Sequence, residues 1–82
     1  MHEVALAGSI LDAVRAEALT RKPARPVKVG VRIGEMAGID PDSLAFCFEA
    51  LVQGTELEPL ELEIEPGSAD ELEFCYLELE PT

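Results

Sequence analysis

A strict alternation of apolar and polar residues in the middle of the chain constrains the fold more than any other segment. The apolar positions are Val27, Val29, Val31 and Ile33, and the positions between them are Lys28, Gly30 and Arg32. Successive side chains of a β-strand point to opposite faces, so this pattern is typical of a strand with one polar face. The sequence therefore predicts a half-buried strand that begins at Pro26.

A helical pattern precedes this strand. Its apolar residues, spaced three and four apart, are Val4, Leu6, Ala7, Ile10, Leu11, Ala13, Val14 and Ala18. This spacing predicts a helix over Val4–Lys22 with a broad buried face. We expect the helix to stop at Lys22, because a residue before proline is disfavoured in helical conformation and Pro23 follows.

A second helix and two further strands follow. Asp40 is the expected N-cap, because Pro41 suits the first helical position. The apolar stripe of this helix is Leu44, Cys47, Phe48 and Leu51, and Gly54 is its expected stop. Residues 60–65 and 71–80 read as strands. The sequence thus predicts an α/β fold with two helices packed on a three-stranded mixed sheet, in the order α-β-α-β-β.

Two features favour different strand orders. Lys28 and Arg32 occupy the polar face of the first strand, whereas the other two strands carry rows of glutamate. Like charges directly opposite are destabilising, which favours the first strand in the middle. The short joint at residues 66–69 instead favours a hairpin between the last two strands, and we expect this hairpin. In the last strand both faces carry apolar residues, which predicts either two covered faces or a β-bulge.

The chain is short and strongly acidic, with 82 residues and a net charge of −11. We expect one small domain over residues 1–82. The charge argues against nucleic acid or an anionic membrane as a partner and favours a basic partner or simply solubility. Without a long apolar run or a signal-peptide pattern, we expect a cytoplasmic protein. Cys47 and Cys75 form no CxxC motif and are expected to be buried free thiols.

The single histidine of the chain is His2, between Met1 and Glu3. This placement gathers an α-amine, an imidazole, a carboxylate and backbone amides. The start of a helix disfavours the imidazolium, and the neutral imidazole is the form that binds metal. Imidazole and deprotonated amide nitrogens suit Ni(II) or Cu(II) in square-planar geometry. A histidine near a terminus is more often solvated surface, so the spacing alone leaves both interpretations open.

Four segments, in order along nearly the whole chain, carry a family resemblance. They are Met1–Ala7, Val29–Pro41, Leu44–Leu51 with Gly54-Thr55 after it, and Asp70–Glu80. Together they resemble the HypA/HybF family of nickel metallochaperones for hydrogenase maturation. That family carries a zinc domain with two CxxC pairs between the second and third strands. Here a short turn near residues 66–69 takes its place, so the resemblance implies a single nickel-binding-type domain, and no structural zinc is expected because such a site needs four ligands.

The resemblance implies a nickel site at His2. The Met1 amine and the backbone nitrogens of His2 and Glu3 would complete it, with Glu3 and Asp40 as candidate oxygen ligands or supporting groups. The residues themselves allow other roles. Glu3 suits the first turn of a helix, where a carboxylate complements the helix dipole. Asp40 is expected to act mainly as the N-cap of the second helix.

The function implied by the resemblance is delivery of Ni(II) to a NiFe hydrogenase large-subunit precursor, together with a HypB-type GTPase and without a catalysed reaction. The alternative is a metal-independent interaction module on the same scaffold, which docks a hydrogenase subunit or the GTPase. An enzyme is poorly supported, since neither cysteine has a neighbour that marks it as a nucleophile. Phe74 and Cys75, on a strand with two apolar faces, leave room for a homodimer.

Overall fold

The computed structural model describes residues 2–81. Its elements are α1 (Glu3–Thr20), β1 (Arg25–Gly34), α2 (Pro41–Val52), β2 (Glu61–Gly67) and β3 (Leu72–Glu80). The predicted order α-β-α-β-β and the mixed three-stranded sheet are confirmed. Among the residues described, no helix combines the length and the apolar character needed to cross a membrane.

The strands lie in the order β2-β1-β3, so the predicted hairpin between β2 and β3 is wrong. Strand β1 pairs in parallel with β2 and antiparallel with β3. Lys28 of β1 lies between Glu61 and Glu78, and Arg32 is flanked by glutamates in the same way. The central strand therefore separates the two rows of carboxylates, which is the arrangement that the cross-strand charge argument favours.

The connection from β2 to β3 crosses the end of β1. Strands that flank a third lie about 10 Å apart, and four extended residues reach about 13 Å, so a short joint does not require a hairpin. The backbone N–H of Gly34 donates to the carbonyl of Glu71 at 2.8 Å, and that of Met36 donates to Ala69 at 2.8 Å. A Cβ at Gly34 would collide with the carbonyl oxygen of Ala69. Glycine thus permits the close crossing.

The core lies between the helices and one face of the sheet. Its buried members are Ala7, Ile10, Leu11, Val14, Val29, Val31, Ile33, Leu44, Phe48, Val52, Leu57 and Leu60. In β1, the predicted inward residues Val29, Val31 and Ile33 are all buried, whereas Val27 is half-buried and Gly30, predicted for the polar face, is buried as well. In α2, the predicted stripe residue Leu51 is 40% exposed and Val52 is buried instead. Each fully buried aliphatic or Phe side chain contributes about 1.5–3 kcal/mol.

Strand β3 contains the β-bulge that was one of the two predicted alternatives. Gly30 pairs with Tyr76 and the next residue of β1, Val31, pairs with Phe74, so Cys75 is the extra residue. The bulge shifts the alternation of β3 by one residue. This shift explains why a strict alternation, read from the sequence, places apolar residues on both faces of the strand. Both cysteines are free, as predicted. They are only half-buried, so the prediction that they are buried overstated their burial.

Candidate metal centre

The amino ends of both helices meet where β1 ends. Strand β1 ends at Gly34, and residues 35–40 lead from it to α2. Oε2 of Glu3, the first residue of α1, accepts a hydrogen bond of 3.1 Å from the backbone N–H of Asp40. The structure thus brings two of the predicted site residues together, through the backbone of Asp40 and the carboxylate of Glu3.

His2 is exposed and occupies the N-cap position of α1. Its side chain makes no capping hydrogen bond with a described residue. The helical ladder begins where the N–H of Leu6 donates to the carbonyl of His2 at 3.1 Å. The N–H groups of His2 and Glu3 precede that ladder. An imidazole and two backbone nitrogens therefore lie together where binding a ligand breaks no helical hydrogen bond.

Asp40 is the N-cap of α2, as predicted. Its Oδ1 accepts hydrogen bonds from the backbone N–H of Asp42 at 3.0 Å and of Ser43 at 3.4 Å. Such a cap contributes about 1 kcal/mol to stability. Since a carboxylate has two oxygens, capping through Oδ1 leaves Oδ2 for a second role.

Glu3 connects α1 to the loop before α2. The hydrogen bond from the Asp40 N–H holds the pKa of Glu3 below its ordinary value, and the backbone amide of Glu3 adds to the effect. The carboxylate is therefore ionised at neutral pH. Its position in the first turn of α1 matches the prediction of a dipole-complementing acid. The partner 37 residues away was not predicted, because no local pattern signals a contact at that separation.

Metal binding at this end would depend on nitrogen donors rather than on a cage of side chains. Within residues 2–81, no three side chains of His, Cys, Asp or Glu form a cluster that could hold a metal ion. Met1, also predicted as a ligand, lies outside the described residues. Imidazole and amide nitrogens form the donor set that Ni(II) and Cu(II) favour in square-planar geometry. The two half-buried cysteines lie on different elements, α2 and β3.

The joint between β2 and β3 lies at the same end of the molecule. The N–H of Met36, in the loop that leads to Asp40, donates to the carbonyl of Ala69 in this joint. Glu71 adds a local contact, because its Oε1 accepts from the N–H of Ser68 at 3.0 Å. The place where the resemblance locates a zinc domain is therefore adjacent to the loop that carries Asp40.

Comparisons with known proteins give the family. A family described as "Hydrogenase/urease nickel incorporation, metallochaperone, hypA" matches residues 1–76. The hydrogenase maturation factor HypA of Chlorobium limicola is 49% identical over 69 residues, which cover 84% of this chain and 60% of that protein. The HypA of Psychromonas ingrahamii is 35% identical over 83 residues, covering 100% of this chain and 73% of that protein.

A solved structure shares the fold. The solution structure of the Ni metallochaperone HypA from Helicobacter pylori superposes with a TM-score of 0.73 at 18% identity, over 93% of this chain and 72% of that one. This chain spans only 60% of the length of the Chlorobium limicola relative and 66% of that from Aeromonas hydrophila. With the family matched over residues 1–76, the chain belongs to the HypA family of hydrogenase and urease nickel-incorporation metallochaperones.

Proposed function

We propose that this chain binds Ni(II) at its amino terminus and passes the ion to the large-subunit precursor of a NiFe hydrogenase, in cooperation with a HypB-type GTPase. Family membership supports the choice of metal and pathway. The observation that carries the proposal is the exposed imidazole of His2, beside backbone nitrogens that precede the helical ladder. No reaction is catalysed, since the role is to hold and release the ion.

The donor atoms suit reversible binding of nickel. Ni(II) displaces amide protons when an imidazole anchors it nearby, and the Met1 amine would add a further nitrogen. Every nitrogen of this set also binds protons, so protons compete with the metal and the affinity falls as pH falls. A site on an exposed helix end is open to a recipient that offers stronger ligands.

The two carboxylates would have different parts in this site. Glu3 holds the Asp40 loop against the start of α1, so its main part is to position the site. Asp40 caps α2 through Oδ1, and Oδ2 is its candidate metal ligand. Ionised carboxylates near the terminus also favour the approach of a cation.

We further propose that nickel binding requires no zinc domain in this chain. The joint of β2 and β3 would stand where the family carries that domain, and residues 1–82 would work as one unit. The two free cysteines fit a reducing compartment such as the cytoplasm. The alternative of a metal-independent docking module is not favoured by the family match, which is described by nickel incorporation.

A transfer assay tests the proposal. The purified chain is loaded with Ni(II) and mixed with a nickel-free hydrogenase large-subunit precursor and a HypB-type GTPase with GTP. We expect nickel to appear in the re-isolated precursor, and to appear far more slowly when His2→Ala replaces the wild type. A matched control is Thr20→Ala, at the other end of α1. Equal transfer by His2→Ala and wild type would contradict the proposal.

A further inference from the structure

A groove follows one edge of the molecule between α2 and β2. Towards the carboxyl end of α2 it widens to a cavity of about 400 Å³, with Phe48 in its lining. Towards the amino end of α2 it widens to about 710 Å³, with Ile64 in its lining. Ala45 and Leu62 line both cavities, so the two adjoin each other along α2 and β2.

Strand β2 forms the floor of this groove and has a free edge. Within the described part of the chain, β2 pairs only with β1. Leu62 and Ile64 pair with the buried residues Val29 and Val31, yet they are only half-buried. An edge strand offers a row of backbone N–H and C=O groups to a further strand. The groove therefore combines free backbone groups with partly exposed apolar side chains.

These two features are the ones used when an extended peptide adds to a sheet. Main-chain hydrogen bonds to the edge strand give affinity, and pockets for alternate side chains give specificity. A strand added about 4.8 Å beyond β2 would direct every second side chain towards Leu62, Ile64 and the flank of α2 at Ala45. The groove is thus suited to apolar residues at alternate positions of an extended segment.

The charges around the groove select the kind of segment. Glu61, Glu63 and Glu65 alternate with Leu62 and Ile64 along β2, so they lie on the face of this strand that points away from the groove. A second copy of this chain, with its net charge of −11, would place like charges against like charges, which is destabilising. Lysine or arginine between the apolar positions of an added strand would point to that same face and meet these carboxylates.

We propose that the edge of β2 is a docking site for an extended segment of a partner protein in which apolar residues alternate with Lys or Arg. The segment adds to β2 as a fourth strand and inserts its apolar side chains into the groove beside α2. Neither His2 nor Glu3 nor Asp40 lines the groove, although Ile39 and Pro41, on either side of Asp40, do.

Peptide binding to the full chain tests the proposal. The probe is a fluorescent peptide of about nine residues in which Val and Lys alternate, used at concentrations where it is monomeric. Its control has the same residues with N-methyl groups at alternate positions, which block main-chain hydrogen bonds on one side. We expect the unmodified peptide to bind at least about tenfold more tightly by anisotropy. Equal binding of the two peptides, or no binding of either, would overturn the proposal.

A matched pair of variants locates the site. Ala45 and Ala50 are both exposed on α2, and of the two only Ala45 lines the groove. We expect Ala45→Phe to fill the groove and weaken peptide binding at least about tenfold, and Ala50→Phe to leave it unchanged. Bound peptide should slow amide exchange within Glu61–Gly67 and not within Leu72–Glu80. Protection of β3 instead of β2, or wild-type affinity of a folded Ala45→Phe protein, would exclude this site.

Discussion

At the scale of single residues, the outer face of the sheet places an aromatic ring over Gly30. A Cβ at Gly30 would collide with the ring of Tyr76, so the glycine makes room for it. Gly30 pairs with Glu63 on one side and with Tyr76 on the other. The Tyr76 hydroxyl donates a hydrogen bond to Oε1 of Glu63 across the central strand. One row of residues thus spans all three strands.

This contact predicts an unusual titration of Tyr76. The hydrogen bond to Glu63, followed by partial burial and the negative charge of Glu63, raises the pKa of Tyr76 to about 12. The chain has one tyrosine and no tryptophan, so the long-wavelength ultraviolet band of an ionised phenol reports Tyr76 alone. We expect Glu63→Gln to move the pKa back towards its ordinary value, because the carboxylate charge is removed. A wild-type midpoint near pH 10 in the folded protein would contradict the contact.

The raised pKa of Tyr76 makes the stability of the fold depend on pH. The direction of this dependence follows from which state, folded or unfolded, binds the tyrosine proton more tightly. The folded state keeps the Tyr76 proton at pH values where the unfolded chain has lost it. The stabilisation that comes from the raised pKa of Tyr76 is therefore fully present below the ordinary pKa of tyrosine. It is lost as pH rises from that value to about 12. Denaturant unfolding at several alkaline pH values should show a smaller loss of stability in this range for Glu63→Gln than for the wild type.

At the scale of elements, α2 depends on its amino-terminal cap. Asp40→Asn should keep most of the stability, because asparagine caps about as well as aspartate, whereas Asp40→Ala should cost about 0.5–2 kcal/mol. Urea unfolding measures both. If capping is the main role of Asp40, Asp40→Asn changes nickel affinity little. A marked loss of affinity at an unchanged melting temperature would identify Asp40 as a metal ligand.

The crossing of the β2–β3 joint over β1 gives a second test at this scale. Gly34→Ala should destabilise the protein by about 1–3 kcal/mol, because its methyl group meets backbone that cannot move aside easily. Gly8, inside α1, has no described heavy atom within 4 Å of an added Cβ. Gly8→Ala should therefore stabilise the protein by about 0.5–1 kcal/mol. Thermal unfolding that ranks the two variants in the opposite order would contradict the described crossing.

The elements show which parts of the fold were predictable. The cap at Asp40 and the alternation in Val27–Ile33 depend on neighbours in sequence, and both were predicted. The strand order depends on distant segments. The charges of Lys28 and Arg32 gave the correct order, and the argument from the short joint failed because it ignored that a few residues can cross one strand. The contact of Glu3 with the Asp40 backbone had no local signal at all.

At the scale of the whole molecule, net charge and cross-strand ion pairs oppose each other. The net charge of −11 destabilises the folded state, because the excess negative charges repel one another. Exposed pairs such as Arg32–Glu73 at 3.2 Å offset part of this repulsion, and each contributes little because solvent screens it. Salt screens both effects, so the larger one decides the sign.

We expect NaCl to raise the melting temperature, because six cations cannot balance 17 acidic residues. For a domain of this size, each 1 kcal/mol of stabilisation corresponds to roughly 4–8 °C. Differential scanning calorimetry between low salt and about 0.5 M NaCl measures the effect where the Debye length shortens most. Chloride is preferable to sulfate, which strengthens apolar burial independently of charge. A melting temperature that falls with NaCl would show that the ion pairs dominate.

The central claim is that nickel binds at the amino terminus through His2, and calorimetric titration with Ni(II) tests it most directly. The account predicts about one ion per wild-type chain, weaker binding at lower pH, and weaker binding when a residue is added ahead of Met1. His2→Ala should abolish binding while Thr20→Ala retains it, with far-ultraviolet circular dichroism showing both variants folded. A folded His2→Ala protein that binds Ni(II) with wild-type affinity would contradict the account.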